Sequence, residues 1–521
     1  MVPKIHSFIL QGIDATPCEI EIDLDDAQLQ KELIVGLPDA AVRESLERVR
    51  AAIGNTGYPM PLGRTLINLA PADVRKEGPM YDLPIAVGLL MAQHVIHHRA
   101  PVGIPNAGGD LLEDERGLDP RRVLFAGELA LDGRVRPVRG TIAMAELARS
   151  MGLDAVIVPL ANAPEASVVG GVRVFGVSTL AEVVGLINGE LPLEPHPPVD
   201  VASMIAQASA PIDFSEIKGQ ESVKRAMVIA AAGQHNIVML GPAGTGKTMM
   251  AKALPGILPP MTTEQAIEVT RIYSSAGELD AKDGLISVRP VRSPHHTASA
   301  PAIVGGGVIP RAGEISLAHH GVLFLDELPE FSRPVLETMR QPLEDHVVTI
   351  ARAHGSVKFP ASFMLVAAMN PTPRGDVAPG EVGQREMDRY LSRLSGPLLD
   401  RVDLHVEAPA VPWNELSTAK TGTSTAQMRE QVLKARAFSR PRQGEKPNAR
   451  LSGRELDAMM VLDDPARTLL EQAMVQLGLS ARAYDKIRRV SRTIADIGGV
   501  ESVGAEHIAE AVQYRLLDRR L

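Results

Sequence analysis

Three groups of residues near the middle of the chain have the types and spacing to act together on a nucleotide. The first is Gly241-Pro242-Ala243-Gly244-Thr245-Gly246-Lys247-Thr248, which fits the pattern G-x-x-x-x-G-K-[ST]. Its glycines let backbone N–H groups turn inward around phosphate oxygens. Lys247 would reach the β- and γ-phosphates of a nucleoside triphosphate, and the Thr248 hydroxyl would hold Mg2+. The second group is the carboxylate pair Asp326-Glu327. Asp326 would hold Mg2+, directly or through water. Glu327 would orient and activate the attacking water as general base. The third is Asn370, one polar group closing an apolar run. Binding and hydrolysis of a nucleoside triphosphate is the chemistry these groups imply.

Each group needs an element to aim it. Ile237-Val238-Met239-Leu240 reads as a buried strand running into the glycine loop. The segment from Met249 to Leu254 begins a helix whose first N–H groups favour anions. Val322-Leu323-Phe324-Leu325 and Phe363 to Met369 read as two further buried strands, delivering Asp326-Glu327 and Asn370. The bland alternative for the first group is an ordinary strand-to-helix turn, and for Asn370 an ordinary Asn-Pro turn.

A chain of 521 residues is too long for one ordinary core, so two or three domains are expected. Aromatic residues make up only 3%, which leaves the cores to aliphatic side chains. The single cysteine, Cys18, excludes an intramolecular disulfide and a cysteine-based zinc site, and it reads as a core residue. No apolar run approaches the roughly 20 residues of a membrane span. The apolar stretch near the N-terminus is too short for a signal peptide, so a cytoplasmic location is expected. A net charge of −9 argues against a protein coated in positive charge, though not against local basic loops or a basic pore.

In the first third, Ile20 to Leu24, Leu66 to Leu69 and Ala155 to Val158 read as strands. Asp39 to Ile53 reads as an amphipathic helix with Val42, Leu46, Val49 and Ile53 on one face and Glu44 and Arg48 paired at i,i+4. Leu83 to Ala92 reads as an apolar helix, and residues 97–120 as a long surface loop. Alternating strands and helices suggest a separate α/β module. The stretches IVGLPDAAVRESLERVRAAI, INLAPADVRKEGPMYDLPIAVG and FAGELALDGRVRPVRG resemble the Lon-protease-like domain that opens ComM/YifB-type proteins, within the magnesium-chelatase-like AAA+ family. A Lon-type site uses a serine activated by a lysine. The corresponding segments here, Lys76 to Asp82 and Pro137 to Ile142, carry no serine and no lysine in those places. The resemblance therefore implies a protease-like scaffold without protease chemistry. Pro192, Pro195, Pro197, Pro198 and Pro211 then mark a stiff connector, with a short helix over Val201 to Ala208.

The same resemblance assigns further roles in the central region. Asn370 resembles the sensor-1 residue that bonds the γ-phosphate or the attacking water. Arg401, within Leu394 to Leu404, resembles the arginine finger that reaches a neighbouring subunit's nucleotide; a structural pair with Asp400 or Asp403 is the alternative. Ile217 and Gly219 resemble base contacts. The small-residue-rich stretch from Arg292 to His320 resembles the family's insertion in helix 2, which faces the pore of a ring. Adjacent histidines such as His295-His296 and His319-His320 diverge, and no third ligand is indicated, so they read against a metal site. Val347 to Phe359 reads as a hairpin carrying Arg352, His354 and Lys358. In the helix-2-insert clade a hairpin in this place grips DNA phosphates; the alternative is a solvated hairpin with incidental charges. Many relatives carry a cysteine cluster after sensor 1, and this chain has none there.

Toward the C-terminus, Ala426 to Phe438, Thr468 to Leu477, Ala481 to Ile497 and Ala505 to Leu517 read as helices. Leu479-Ser480-Ala481-Arg482-Ala483 resembles the sensor-2 motif, so Arg482 should touch a γ-phosphate; otherwise it is one surface charge among Lys486, Arg489 and Arg492.

The expected fold is α/β. A Lon-protease-like (ribosomal S5 domain 2-like) domain spans 1–190, a Pro-rich linker 191–212, an AAA+ P-loop NTPase core of the helix-2-insert clade 213–408, and a helical lid 409–521. The resemblance implies ATP and Mg2+ as cofactors and a homo-oligomeric ring, most simply a hexamer, with no membrane partner. It also implies translocation on DNA and branch migration in recombination and natural transformation. A chelatase- or chaperone-type remodeller acting on a protein partner is the alternative.

Overall fold

The computed structural model describes residues 2–25, 32–61, 63–97, 118–280, 284–307, 310–352, 355–372, 390, 393–394, 396–412, 422–515 and 517. The chain divides into two compact units, Met1–Ser203 with Thr263–Ile286, and Met204–Thr262 with Ser287–Leu521.

Among the described residues the main sheet of the first unit has seven strands: β1 (Lys4–Gln11), β2 (Asp14–Asp25), β3 (Glu32–Val35), β4 (Arg64–Ala70), β5 (Val123–Phe125), β6 (Ala155–Pro159) and β7 (Arg173–Val177). They lie in the order β3-β4-β2-β1-β5-β6-β7. β1, β2 and β4 pair antiparallel, and the other pairs are parallel. Helix α1 (Ala40–Asn55) starts where Asp39 accepts the Val42 N–H at 2.8 Å, and it buries Val42, Val49, Ala52 and Ile53. The expected Glu44–Arg48 pairing gives way to another. Arg48 donates to Asp82 at 2.8 and 3.1 Å, at the start of α2 (Asp82–Ala92). The Asp82 carboxylate is fully buried, and an ion buried without a counter-charge costs far more than a surface pair returns. Lys76 is also buried, its ammonium donating to the carbonyls of Pro71 and Val74. Cys18 lies in this core, where burial pushes its thiol up to about 12.

The helix Thr263–Ala276 belongs to this first unit, although in sequence it follows the phosphate loop. Its Ser274 hydroxyl accepts the Gly140 N–H at 2.9 Å and donates to the Glu165 carboxylate. Its Arg271 donates to Glu146 at 3.0 Å. Helices α3 (Thr141–Ser150) and α4 (Leu180–Asn188) complete the α/β packing.

The second unit centres on an all-parallel sheet of β8 (Ile237–Leu240), β9 (Val291–Arg292), β10 (Val322–Leu325), β13 (Met364–Met369) and β14 (Leu404–Glu407), in the order β9-β10-β13-β8-β14. Every residue of β8, β10 and β13 is buried, as a parallel sheet covered on both faces requires. Helix α5 (Glu221–Gly233) precedes β8, and α6 (Lys247–Ala253) follows it. Between β10 and β13 lies the expected hairpin, β11 (Val347–Arg352) with β12 (Gly355–Pro360), paired antiparallel with Thr349 opposite Lys358. Val348, Ile350 and Phe359 are buried on one face, and Thr349 and Lys358 are exposed on the other.

The chain then turns helical: α7 (Thr425–Gln443), α8 (Asp464–Gln476), α9 (Ala481–Gly498) and α10 (Ala505–Gln513), with a shorter helix over Gly453–Met459. Ser480 caps α9 by accepting the Ala483 N–H at 3.2 Å, and Gly499, at φ +68°, ends it. Ile487, Val490 and Ile494 are its buried face; Ile497 packs on the same core while partly exposed. Leu516, at the end of the last expected helix, lies outside the described residues. Among the described residues no helix is long and apolar enough to cross a membrane.

Candidate functional site

The carboxyl ends of β8, β10 and β13 bring the glycine loop, Asp326-Glu327 and Asn370 together. That end of a parallel sheet is where α/β proteins place ligands. Gly244 and Gly246 take φ of +80° and +85°, a backbone that side chains rarely tolerate. A Cβ on Gly241 would stand 2.1 Å from the Ala408 carbonyl, so the loop seats directly on the end of β14. Ile217 is buried against the loop, its Cγ2 3.5 Å from where a Cβ on Gly246 would lie.

Lys247 is buried and donates to the carbonyls of Gly241 and Pro242, both at 2.7 Å, and to Asn370 Oδ1 at 3.3 Å. Burial lowers its affinity for a proton, with Asp326 acting in the opposite sense. Thr248 donates to Asp326 Oδ2 at 2.9 Å, so the two groups assigned to Mg2+ already touch. Asp326 Oδ1 accepts the Glu327 N–H at 3.0 Å, and Glu327 itself sits at φ +53°. Its carboxylate lies 3.3 Å from His296 Nδ1. The glycine cradle, a buried lysine facing it and a hydroxyl beside a carboxylate fit a triphosphate with its metal. Lys247 and the loop N–H groups would hold the phosphates, and Thr248 and Asp326 the Mg2+. When bound, that ion would neutralise charge on the phosphate oxygens.

The two expected arginines are not with this group. Arg401 pairs with Glu344 at 2.5 Å, and Arg482 lies 3.5 Å from Asp400. The anticipated alternative partner, Asp403, is taken instead by Lys486 at 2.6 Å and by the Asn236 N–H at 2.9 Å. Burial alone would raise Asp403, but Lys486 and His235 hold it well below the usual carboxylate range. Arg401 and Arg482 line one cavity of about 570 Å3, and none of its lining residues belongs to 241–248. There Arg401, Lys446, Arg450, Arg482, Lys486 and Arg489 outnumber Glu344, Asp400, Asp403 and Asp485, which favours an anionic occupant. Lys486 and Arg492, which the alternative reading of Arg482 set beside it as surface charges, are buried, with ion pairs to Asp403 and Asp496.

Sequence reasoning passed over Asn236. Its amide donates to the Arg401 carbonyl at 3.2 Å, and its side-chain oxygen accepts the Leu365 N–H at 2.9 Å. It thereby ties β8 to β13 and to the Arg401 turn. The only signal was a polar residue just ahead of an apolar strand. Of the hairpin residues expected on DNA, Lys358 is exposed on β12 and Arg352 ends β11. His354 lies outside the described residues.

A sheet order with the phosphate loop flanked by the Asn370 and Leu404 strands, and with Asp326-Glu327 one strand further out, defines an AAA+ type of P-loop protein. Family models described as "Magnesium chelatase, subunit ChlI" match residues 213–416, "Subunit ChlI of Mg-chelatase" residues 20–162, and "Magnesium chelatase, subunit ChlI C-terminal" residues 422–515. The chain is 43% identical over 523 residues to Competence protein ComM of Haemophilus influenzae, covering 99% of this chain and 98% of that protein. It is 42% identical over 520 residues to protein YifB of Salmonella typhimurium, covering 99% and 97%. It is 24% identical over 339 residues to the magnesium-chelatase 38 kDa subunit of Cereibacter sphaeroides, covering 59% of this chain and 92% of that one. The chain belongs to the magnesium-chelatase-like AAA+ family, whose members are ATPases that use ATP and Mg2+.

Proposed function

We propose that this protein is a ring-forming ATPase that moves on DNA and drives branch migration during recombination. The observation that carries the reading is the cavity shared by Arg401 and Arg482, apart from the chain's own phosphate loop. Two cations suited to a γ-phosphate, but absent from the site that holds it, support a reading in which each completes a neighbour's site. On this reading Lys247 and Thr248 bind, Glu327 activates water, Asn370 positions it, and Arg401 and Arg482 act in trans. Closed rings generate such repeated head-to-tail sites, and a hexamer is the proposed number.

On this reading the first 190 residues serve as a Lon-like scaffold without protease chemistry, 191–212 as linker, 213–408, apart from Thr263–Ile286 which packs in the first unit, as motor core, and 409–521 as lid. The short pairing of Gly305–Gly306 with Arg311–Ala312, between two short helices, supports the helix-2-insert assignment. Full-length similarity to a competence protein favours DNA as the partner and the cytoplasm as the place. Similarity to a chelatase subunit supports the second reading, a ring acting on a protein client, but it covers only part of the chain.

The test is ATP hydrolysis with and without forked or four-way DNA, at low and moderate salt, beside Lys358→Ala. Stimulation should fall with salt. Lys358→Ala should lower the salt slope of DNA binding by about one unit, the share of a single neutralised phosphate. Intact basal turnover with no response to any DNA would move the assignment to a protein client.

A further inference from the structure

Arg401 and Arg482 reach their shared cavity from different elements, Arg401 from the turn before β14 and Arg482 from the first turn of α9. The groups that join these elements are buried beneath them. Asp403 lies two residues after Arg401, and Lys486 one helical turn after Arg482 on the same side of α9. Lys486 Nζ donates to Asp403 Oδ1 at 2.6 Å, and Asp403 Oδ2 accepts the Asn236 N–H at 2.9 Å. The two side chains are only 10% and 6% exposed. A second tie lies two turns further along α9, where Thr493 Oγ1 and His235 Nε2 are bonded at 2.8 Å.

Asn236 and Asp403 stand just ahead of β8 and β14, which pair in parallel with Ile237 opposite Leu404. This pin therefore sits at the amino ends of the strands, whereas the phosphate loop follows the carboxyl end of β8. A buried ion pair is a poor source of stability. Taking both charges out of water costs about as much as their attraction returns, and apolar side chains of the same size would pack α9 as firmly. What the pair supplies is geometry, a single seating of α9 in which the ammonium meets the carboxylate. Two cations that act on one phosphate depend on such a seating, since a misplacement of about 1 Å can cost on the order of a hundredfold in rate.

We propose that Asp403 is a positioning residue: through Lys486 it sets the spacing of Arg401 and Arg482, so that both guanidinium groups meet one phosphate of the neighbouring subunit together. The inference rests on the reading that the two arginines act in trans. It adds that they are delivered as one unit, built at the end of the sheet away from the chain's own nucleotide.

The test uses full-length Asp403→Asn and the double variant Asp403→Asn/Lys486→Met, with thermal unfolding, binding of a fluorescent ATP analogue, and kcat and KM for ATP measured for each. The asparagine oxygen can still accept the Asn236 N–H, and methionine fills the lysine's place without its charge. The double variant thus loses the tie to α9 and leaves no buried ion unpaired. Both variants should bind the analogue as wild type does and lose kcat by about ten- to a hundredfold with KM unchanged, the pattern of groups that act only in the transition state. Mixed with Glu327→Gln, which lends intact arginines, each should regain turnover. Mixed with Arg401→Ala, which lends only an intact base, each should gain nothing. A merely weakened fold does not sort its partners in this way. A double variant that melts with wild type and turns over at the wild-type rate would overturn the positioning role. So would a mixture with Glu327→Gln that shows no recovery in rings containing both. Should Asp403→Asn fail to fold, the double variant carries the same outcomes. Failure of Arg401→Ala itself to recover with Glu327→Gln would instead overturn the trans reading, and this inference with it.

Discussion

Glu327→Gln should lower ATP turnover by roughly a thousandfold while leaving ATP binding within a factor of about two. The amide keeps the size and the hydrogen-bonding reach of the carboxylate but cannot accept a proton from water. Nothing that holds the phosphates is altered. Lys247 still faces the loop carbonyls and Asn370, and Thr248 still meets Asp326. Nucleotide affinity by equilibrium titration and turnover by phosphate release separate the two effects. A variant that lost binding and turnover together would place Glu327 among the groups that hold nucleotide or fold the loop.

Arg401→Ala should cost a comparable amount, roughly a thousandfold or more, because an arginine that meets the transition state's charge has that scale of effect. The position of Arg401 adds a sharper expectation. It pairs with Glu344 and lines a cavity to which the phosphate loop contributes nothing. Removing it should leave the chain's own nucleotide binding intact. Mixing Arg401→Ala with Glu327→Gln should restore turnover, since some junctions in the mixed ring join an intact base from one subunit to an intact arginine from the next. Two inactive parents giving an active mixture is a result that only a shared site produces. Failure of the mixture, in rings shown by light scattering to contain both, would confine both groups to one chain. Arg482→Ala should follow Arg401→Ala in the same mixing, because the two arginines line one cavity.

The parts of this site that were legible in the sequence share a physical cause. A strand buried on both faces is a run of apolar residues, so the one polar group that ends it stands out, as Asp326 and Asn370 do after β10 and β13. The glycine loop was legible because its backbone conformation restricts which residues can form it. What was not legible depends on distant partners. Arg48 looked like the mate of Glu44 one turn away, but a buried Asp82 far along the chain claims it. The alternative reading of Arg482 set Lys486 and Arg492 beside it as surface charge on α9, yet Asp403 and Asp496 allow them to be buried. The helix Thr263–Ala276 lies along the chain between the phosphate loop and Asp326-Glu327, and that position does not reveal that it joins the first unit. Sequence spacing also could not show that Arg401 and Arg482 lie together, since β14, α7 and α8 all come between them along the chain.

The central claim is that ATP hydrolysis by this protein moves DNA. The most direct measurement follows a labelled four-way junction with homologous arms, incubated with the full-length protein, Mg2+ and ATP, and scores conversion to branch-migrated products. The account predicts conversion that needs ATP, disappears with Glu327→Gln and is slowed by Lys358→Ala. Hydrolysis that proceeds at full rate while every junction stays intact would contradict it.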